Sequence, residues 1–218
     1  MKLLLTSGGL ENESIITALK DLAGRPFETL NFAFIPTASN LEAGDKWWLI
    51  EDLQVCKKLG FASVDIVDIS ALPRTIWQKR LEAADVLFVE GGNTFHLMHW
   101  LRVSGLAELL PELLKTRVYV GVSAGSIVAG QGLQFSRSEK SEAEEIDGAI
   151  DEVGMSLVDF FIEPHIGSVY FPELTFEYAR EEAEKTGETL YALDDQSAIQ
   201  VNEGVVSVVS EGAWKKFN

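Results

Sequence analysis

Five short apolar runs set the frame of this chain: Leu3–Thr6, Phe32–Ile35, Val64–Val67, Val86–Val89 and Val118–Val122. Most are rich in β-branched or aromatic residues, and they lack a clean polar/apolar alternation. A strand with one wet face alternates; a strand buried on both faces does not, and such strands belong to parallel sheets. Helical segments lie between the runs, at Glu13–Leu22, Asp45–Leu59, Trp77–Ala83 and Phe95–Lys115. The last of these is expected to break near Ser104-Gly105 and again around Pro111. Alternating strands and helices predict an α/β protein with a doubly wound sheet and helices on both faces. Near the C-terminus, Thr189–Leu193, Ala198–Asn202 and Val205–Ser210 read as further strands, with Asn202-Glu203-Gly204 as a tight hairpin connection.

The 218 residues, 46% of them apolar and 24% charged, suit a single globular domain over 1–218 without repeats or linkers. The formal net charge of −16 disfavours nucleic acid and anionic membrane surfaces as partners. One cysteine, Cys56, can form no internal disulfide, Cys-rich zinc site or iron–sulfur cluster, and nothing requires a metal or organic cofactor. No apolar run approaches the ~20 residues of a membrane span. The first residues turn polar too soon for a signal peptide and read as a buried strand, so a cytoplasmic location is expected. From Arg137 to Lys185 there are 14 acidic and 4 basic residues. The densest part, Glu139–Glu152, reads as a solvated surface excursion or a flap over a site.

The strongest chemical signal is Gly121-Val122-Ser123-Ala124-Gly125, between the run Val118–Val122 and the helix-compatible stretch Ser126–Ala129. In a strand–elbow–helix context, Ser123 projects its hydroxyl at the strand's carboxyl end. The N–H groups of the helix start then face a developing oxyanion. The plain alternative is a small-residue turn without chemistry. A serine nucleophile needs a base. His96 and His99 fall in a helical stretch among Phe95, Leu97, Met98 and Trp100, where packing or surface roles are expected. His165 follows an apolar run and Pro164, and it is the one histidine downstream of Ser123. An orienting acid is offered by Asp194-Asp195, after the run Thr189–Leu193; Glu139 and Glu163 are rivals, although Glu163 is only two residues from His165. A second glycine-rich turn, Glu90-Gly91-Gly92-Asn93-Thr94, lacks the lysine and the spacing of a phosphate loop. Its better use is a Gly92 N–H paired with that of Ala124 in an oxyanion hole; the alternative is a β–α turn capped by Asn93 or Thr94.

Taken together, Gly91-Gly92-Asn93-Thr94-Phe95, Gly121–Gly125, Pro164-His165 and Leu193-Asp194-Asp195 resemble the peptidase E family of serine peptidases. That family holds the aspartyl dipeptidases and, more distantly, the cyanophycinases. The resemblance spans essentially the whole chain and includes Pro36-Thr37-Ala38-Ser39. It implies a flavodoxin-like three-layer sandwich, mostly parallel and related to class I glutamine amidotransferases. It implies Ser123 as nucleophile, His165 as base, Gly92 and Ala124 as oxyanion hole, and Asn93 lining the site. Asp195 falls where the family places the triad's glutamate, one methylene shorter, so Asp194 is the alternative. A substrate cation for N-terminal aspartate would fall to Arg180, whose other reading is a helix-surface residue paired with Glu177 or Glu184. The expected activity is hydrolysis of short peptides with a free N-terminus. The competing readings are a non-catalytic scaffold and an α/β-hydrolase esterase. The latter predicts the order Ser, acid, His, whereas here His165 precedes the acidic pair.

Overall fold

The computed structural model describes residues 1–218, and in it the five apolar runs become five parallel strands of one sheet. They are β1 (Lys2–Thr6), β2 (Asn31–Ile35), β3 (Ser63–Ile66), β4 (Val86–Val89) and β5 (Val118–Val122). β6 (Phe161–Glu163) and β7 (Leu190–Leu193) leave that sheet and pair with each other in parallel. β8 (Ser197–Asn202) and β9 (Val205–Ser210) return to it as an antiparallel hairpin on β1, and β10 (Trp214–Phe217) pairs antiparallel with β7. The large sheet runs β3-β2-β4-β5-β1-β8-β9 and the small one β10-β7-β6.

The missing alternation in the runs has a direct cause. Leu3 and Leu5 enter one core with Ala33, Ile35, Leu87 and Val89. Leu4 enters the other with Phe32, Phe34, Val86 and Phe88. Both faces are therefore apolar, and a one-residue slip exchanges one core for the other. The second core is closed by α1 (Glu13–Ala23) and α2 (Trp47–Lys58), through Ile15, Leu19, Leu22 and Cys56. The first is closed by α3 (Arg74–Ala83), α4 (Thr94–Val103), α5 (Leu106–Leu113) and the short α6 (Ala124–Ile127). Trp77, Leu81, Leu101 and Leu110 are among the side chains they supply. The third core lies on the small sheet, against Ala179 and Ala183 of α8 (Phe176–Thr186). α7 (Lys140–Asp147) occupies the acidic stretch.

Three details differ from expectation. β3 is the sheet edge and is only partly covered: Ser63 and Ile66 are exposed. The break at Gly105 is real, with φ of 82°, but Pro111 is carried inside α5. That helix ends two residues later; proline at this position lacks the N–H that would meet the Ala107 carbonyl, and its ring crowds that carbonyl. β10 escaped notice because Trp214-Lys215-Lys216-Phe217 has two lysines between its apolar ends. No helix is long and apolar enough to cross a membrane.

Candidate active site

Ser123 sits between β5 and α6 with φ 47° and ψ −106°, a strained backbone for any residue with a side chain. The surroundings over-determine that conformation. The Ser123 N–H donates to Thr6 O (3.1 Å), Ser126 Oγ donates to Thr6 O (2.8 Å), and Tyr119 Oη donates to Gly125 O (2.6 Å). The flanking glycines are required by space. A Cβ on Gly125 would lie 2.1 Å from Val89 O, and one on Gly121 would lie 2.6 Å from the Gly125 backbone.

His165 follows β6, and Asp195 follows the parallel β7, so adjacent strand ends of the small sheet deliver both to the carboxyl end of β5. His165 Nε2 is 2.8 Å from Ser123 Oγ, and His165 Nδ1 is 2.6 Å from Asp195 Oδ1. His165 is itself held at a φ of 62°, with its ring stacked on Phe171 at 5.0 Å between centroids. Ser7, just past β1, binds both ends of this pair. Its hydroxyl donates to Asp195 Oδ1 (2.9 Å) and accepts the His165 N–H (2.8 Å). Burial raises the Asp195 carboxyl, but the hydrogen bond and charge of His165 and the Ser7 hydroxyl outweigh it. They hold the carboxyl below its ordinary range, so it is ionised at neutral pH.

The rival acids have other partners. Asp194 accepts from Gln196 N–H, Ser197 Oγ and Ala213 N–H and so ties up its own turn. Glu163 is fully buried and faces Arg137 at 3.3 Å, not the imidazole. Glu139 caps the start of α7, where its carbonyl accepts from Asn93 Nδ2. Of the other predicted residues, Gly92 lies at the cavity wall with φ of 126°, and a Cβ there would come 2.5 Å from Ala38 O. Ala124 N–H is the first of α6 and has no acceptor within the helix. Asn93 does not line the cavity: its side chain caps α4, accepting from the N–H groups of Phe95 and His96. Arg180 is also outside the cavity, on the open face of α8 between Glu177 and Glu184, so the structure does not bring it to the site. His96 is buried and pairs with Asp147 at 2.6 Å, which fastens α7 onto α4.

Ser123 opens into a cavity of about 730 Å³, the size of a small-ligand site. Ten of its lining residues are Asp or Glu, and Arg137 is the one Lys or Arg among them. Glu139 and Glu142 belong to that wall, so the acidic stretch does border the site. Trp47 and Tyr170 meet beside it with rings 5.5 Å apart. Ser7 and Arg137 had no signal in the sequence; a serine after a strand and one arginine in an acidic tract acquire meaning only from their neighbours.

Desolvation pushes the Glu163 carboxyl up to about 7, with Arg137 opposing it. The folded protein thus retains a proton that the unfolded chain releases near 4.5. Stability from this site is full below about pH 4.5 and declines as pH rises toward 7, by an order of 3 kcal/mol at most. Glu163→Gln should flatten that part of the wild-type curve when urea midpoints are compared from pH 4 to 8. Parallel curves would show that Glu163 is ionised throughout.

The sequence profile of Peptidase family S51 matches residues 3–209. An uncharacterized peptidase of Pasteurella multocida is 27% identical over 183 residues, 84% of this chain and 86% of that one. A peptidase E of Shewanella baltica is 41% identical over 100 residues, 44% of this chain and 38% of its own. Among solved structures, a protein from Listeria monocytogenes described as a peptidase E superposes with a TM-score of 0.82 at 23% identity, covering 97% of this chain and 98% of that one. This likeness supports the three-layer, class I glutamine amidotransferase-like fold. With the profile match running nearly end to end, the chain belongs to Peptidase family S51 and is a serine-type peptidase.

Proposed function

We propose that this peptidase removes N-terminal residues from short peptides, dipeptides above all, through an acyl-enzyme on Ser123. The observation that carries the reading is the unbroken hydrogen-bond chain from Ser123 Oγ through His165 to Asp195, at 2.8 and 2.6 Å. Ser123 Oγ attacks the peptide carbonyl as His165 Nε2 takes its proton. Asp195 holds Nδ1–H, which fixes the tautomer and stabilises the imidazolium. The negative oxygen of the tetrahedral intermediate is met by the N–H groups of Gly92 and Ala124. Collapse breaks the C–N bond, and His165 returns the proton to the leaving amine. Water, activated by the same imidazole, then hydrolyses the ester and frees Ser123.

The size of the cavity and its charge favour small substrates with a free amine. The acidic walls attract an ammonium and repel a carboxylate placed among them. The one Lys or Arg that a peptide's C-terminal carboxylate can meet in the cavity is Arg137, which it would share with Glu163 and Tyr178. A requirement for N-terminal aspartate is not supported, because Arg180 points elsewhere. The test pairs intact mass after a fluorophosphonate with a dipeptide-library assay. One adduct that maps to Ser123, together with turnover of free but not N-acetylated dipeptides, is expected. Absence of any adduct would favour the non-catalytic scaffold, and equal turnover of blocked peptides would remove the exopeptidase reading.

A further inference from the structure

On the wall of the cavity formed by α2 and the end of β4 lies a group of carboxyls that the hydrolytic chemistry does not use. Glu90 follows β4 and is fully buried. Its Oε1 accepts the Gly91 N–H (2.8 Å), while Oε2 finds no hydrogen-bond donor in the protein. The Asp52 carboxyl, from α2, stands against it and is itself only 8% exposed. Glu11 and Glu51 are near enough to act on Asp52 through their charge. All four line the cavity. The site is next to the nucleophile: a Cβ on Gly91 would lie 3.4 Å from Ser123 Cβ.

Nothing in the protein compensates these groups. Arg137, the one Lys or Arg of the cavity, is engaged with Glu163 and Tyr178. No three His, Cys, Asp or Glu side chains are placed to hold a metal ion. Burying carboxyls without a counter-charge is costly, and two in contact can hydrogen-bond only while one keeps a proton. Accordingly burial pushes Asp52 up to about 7, and burial and Asp52 raise Glu90 as well.

The same helix supplies what a cationic chain needs besides charge. Trp47 and Glu51 are four residues apart, as are Trp48 and Asp52, so each indole neighbours a carboxyl on one face of α2. Both indoles line the cavity. An aromatic face beside a carboxyl, Trp48 by the buried Asp52 and Trp47 by the exposed Glu51, suits an alkylammonium or guanidinium, whose stem packs on the ring while its head meets the anion.

We propose that Asp52 and Glu90, flanked by Glu11, Glu51, Trp47 and Trp48, form a subsite for an organic cation carried by the substrate. Two sources share that chemistry: the α-ammonium of the peptide and the side chain of an N-terminal Lys or Arg. The proposal deepens the peptidase reading and takes from it only the identity of the ligand as a peptide.

Binding is measured by calorimetry in Ser123→Ala, which removes turnover from the comparison. The probes are alaninamide, with the α-ammonium only, N-acetyl-lysinamide, with the side-chain cation only, and N-acetylnorleucinamide, with neither. At least one cationic probe should bind roughly tenfold or more tightly than the neutral one, the size of a charge-assisted hydrogen bond. Which of the two binds identifies the source. The preference should vanish in Asp52→Asn and in Glu90→Gln, near-isosteric changes whose folding is checked by thermal melting. Should either variant fail to fold, Glu51→Gln takes its place and should weaken the preference in part. Equal binding of all three probes, or a preference unchanged in the folded variants, overturns the subsite. Wild-type turnover of Ala-Leu is recorded alongside. Ser123-dependent turnover without cation preference sinks the subsite and leaves the peptidase reading; cation-selective binding without turnover does the reverse.

Discussion

Ser123→Ala should lower kcat/KM on a dipeptide by a thousandfold or more, while Ser123→Gly should be as inactive and yet more stable than the wild type. Both variants lose the nucleophile, and the residual rate is what the oxyanion donors and binding supply without it. The stability difference follows from the backbone. At φ 47° and ψ −106°, a residue with a Cβ carries strain of about 1–3 kcal/mol, which alanine keeps and glycine relieves. Part of that relief is offset by the greater freedom of glycine in the unfolded chain. A net gain of about 1 kcal/mol would raise the melting temperature by roughly 2–4 °C in a protein of this size. The elbow can hold such a backbone because β5, β1 and α6 fix it by hydrogen bonds to Thr6 and Gly125. Kinetics and thermal melting on the same three proteins decide the matter. An active Ser123→Ala would remove the serine from the chemistry. A Ser123→Gly that melts lower than wild type would show that any strain in the elbow is smaller than the unfolded-chain freedom glycine adds.

The parallel strands could be read from sequence because burial on two faces erases alternation, and the β-branched and aromatic content of most runs, with helical stretches between them, separated them from buried helix segments. Ser123 and His165 were legible for a related reason: each sits where a strand ends, and strand ends of α/β sheets gather at one edge. What sequence could not show is that β6 and β7 form their own small sheet, which presents His165 and Asp195 side by side to a serine on the other sheet. Ser7 was invisible because its role is to join two residues more than 150 positions away. Asn93 and Arg180 illustrate the opposite error. Each has a local partner set, the α4 amides for one and Glu177 with Glu184 for the other, and local hydrogen bonds claimed both side chains. Asp52 lies on a helix whose apolar pattern is weak because that helix turns part of itself toward the cavity.

Asp195→Asn should cost on the order of a thousandfold or more in kcat/KM with little change in fold, whereas Asp195→Glu should retain a measurable share of activity. The ionised carboxylate accepts from two donors at once, since His165 Nδ1 and the Ser7 hydroxyl both meet Oδ1. An amide in its place brings an N–H₂ that can donate to Nδ1. The imidazole then carries its proton on Nε2, where it cannot take one from Ser123 Oγ. The loss is therefore electronic rather than steric, and it falls on kcat, with KM little changed. Glutamate keeps the charge and adds one methylene, so it tests reach alone. The Ser7 clamp, 2.9 Å from Oδ1, must shift to admit it, and Ser7→Ala combined with Asp195→Glu should recover activity relative to Asp195→Glu. Asp194→Asn is the matched control: its carboxylate holds the backbone of its own turn, so its cost should appear in thermal stability more than in kcat. If Asp195→Asn turns over at the wild-type rate, or Asp194→Asn loses as much in kcat, the orienting acid is not Asp195, and the 2.6 Å contact with His165 serves only to seat the ring.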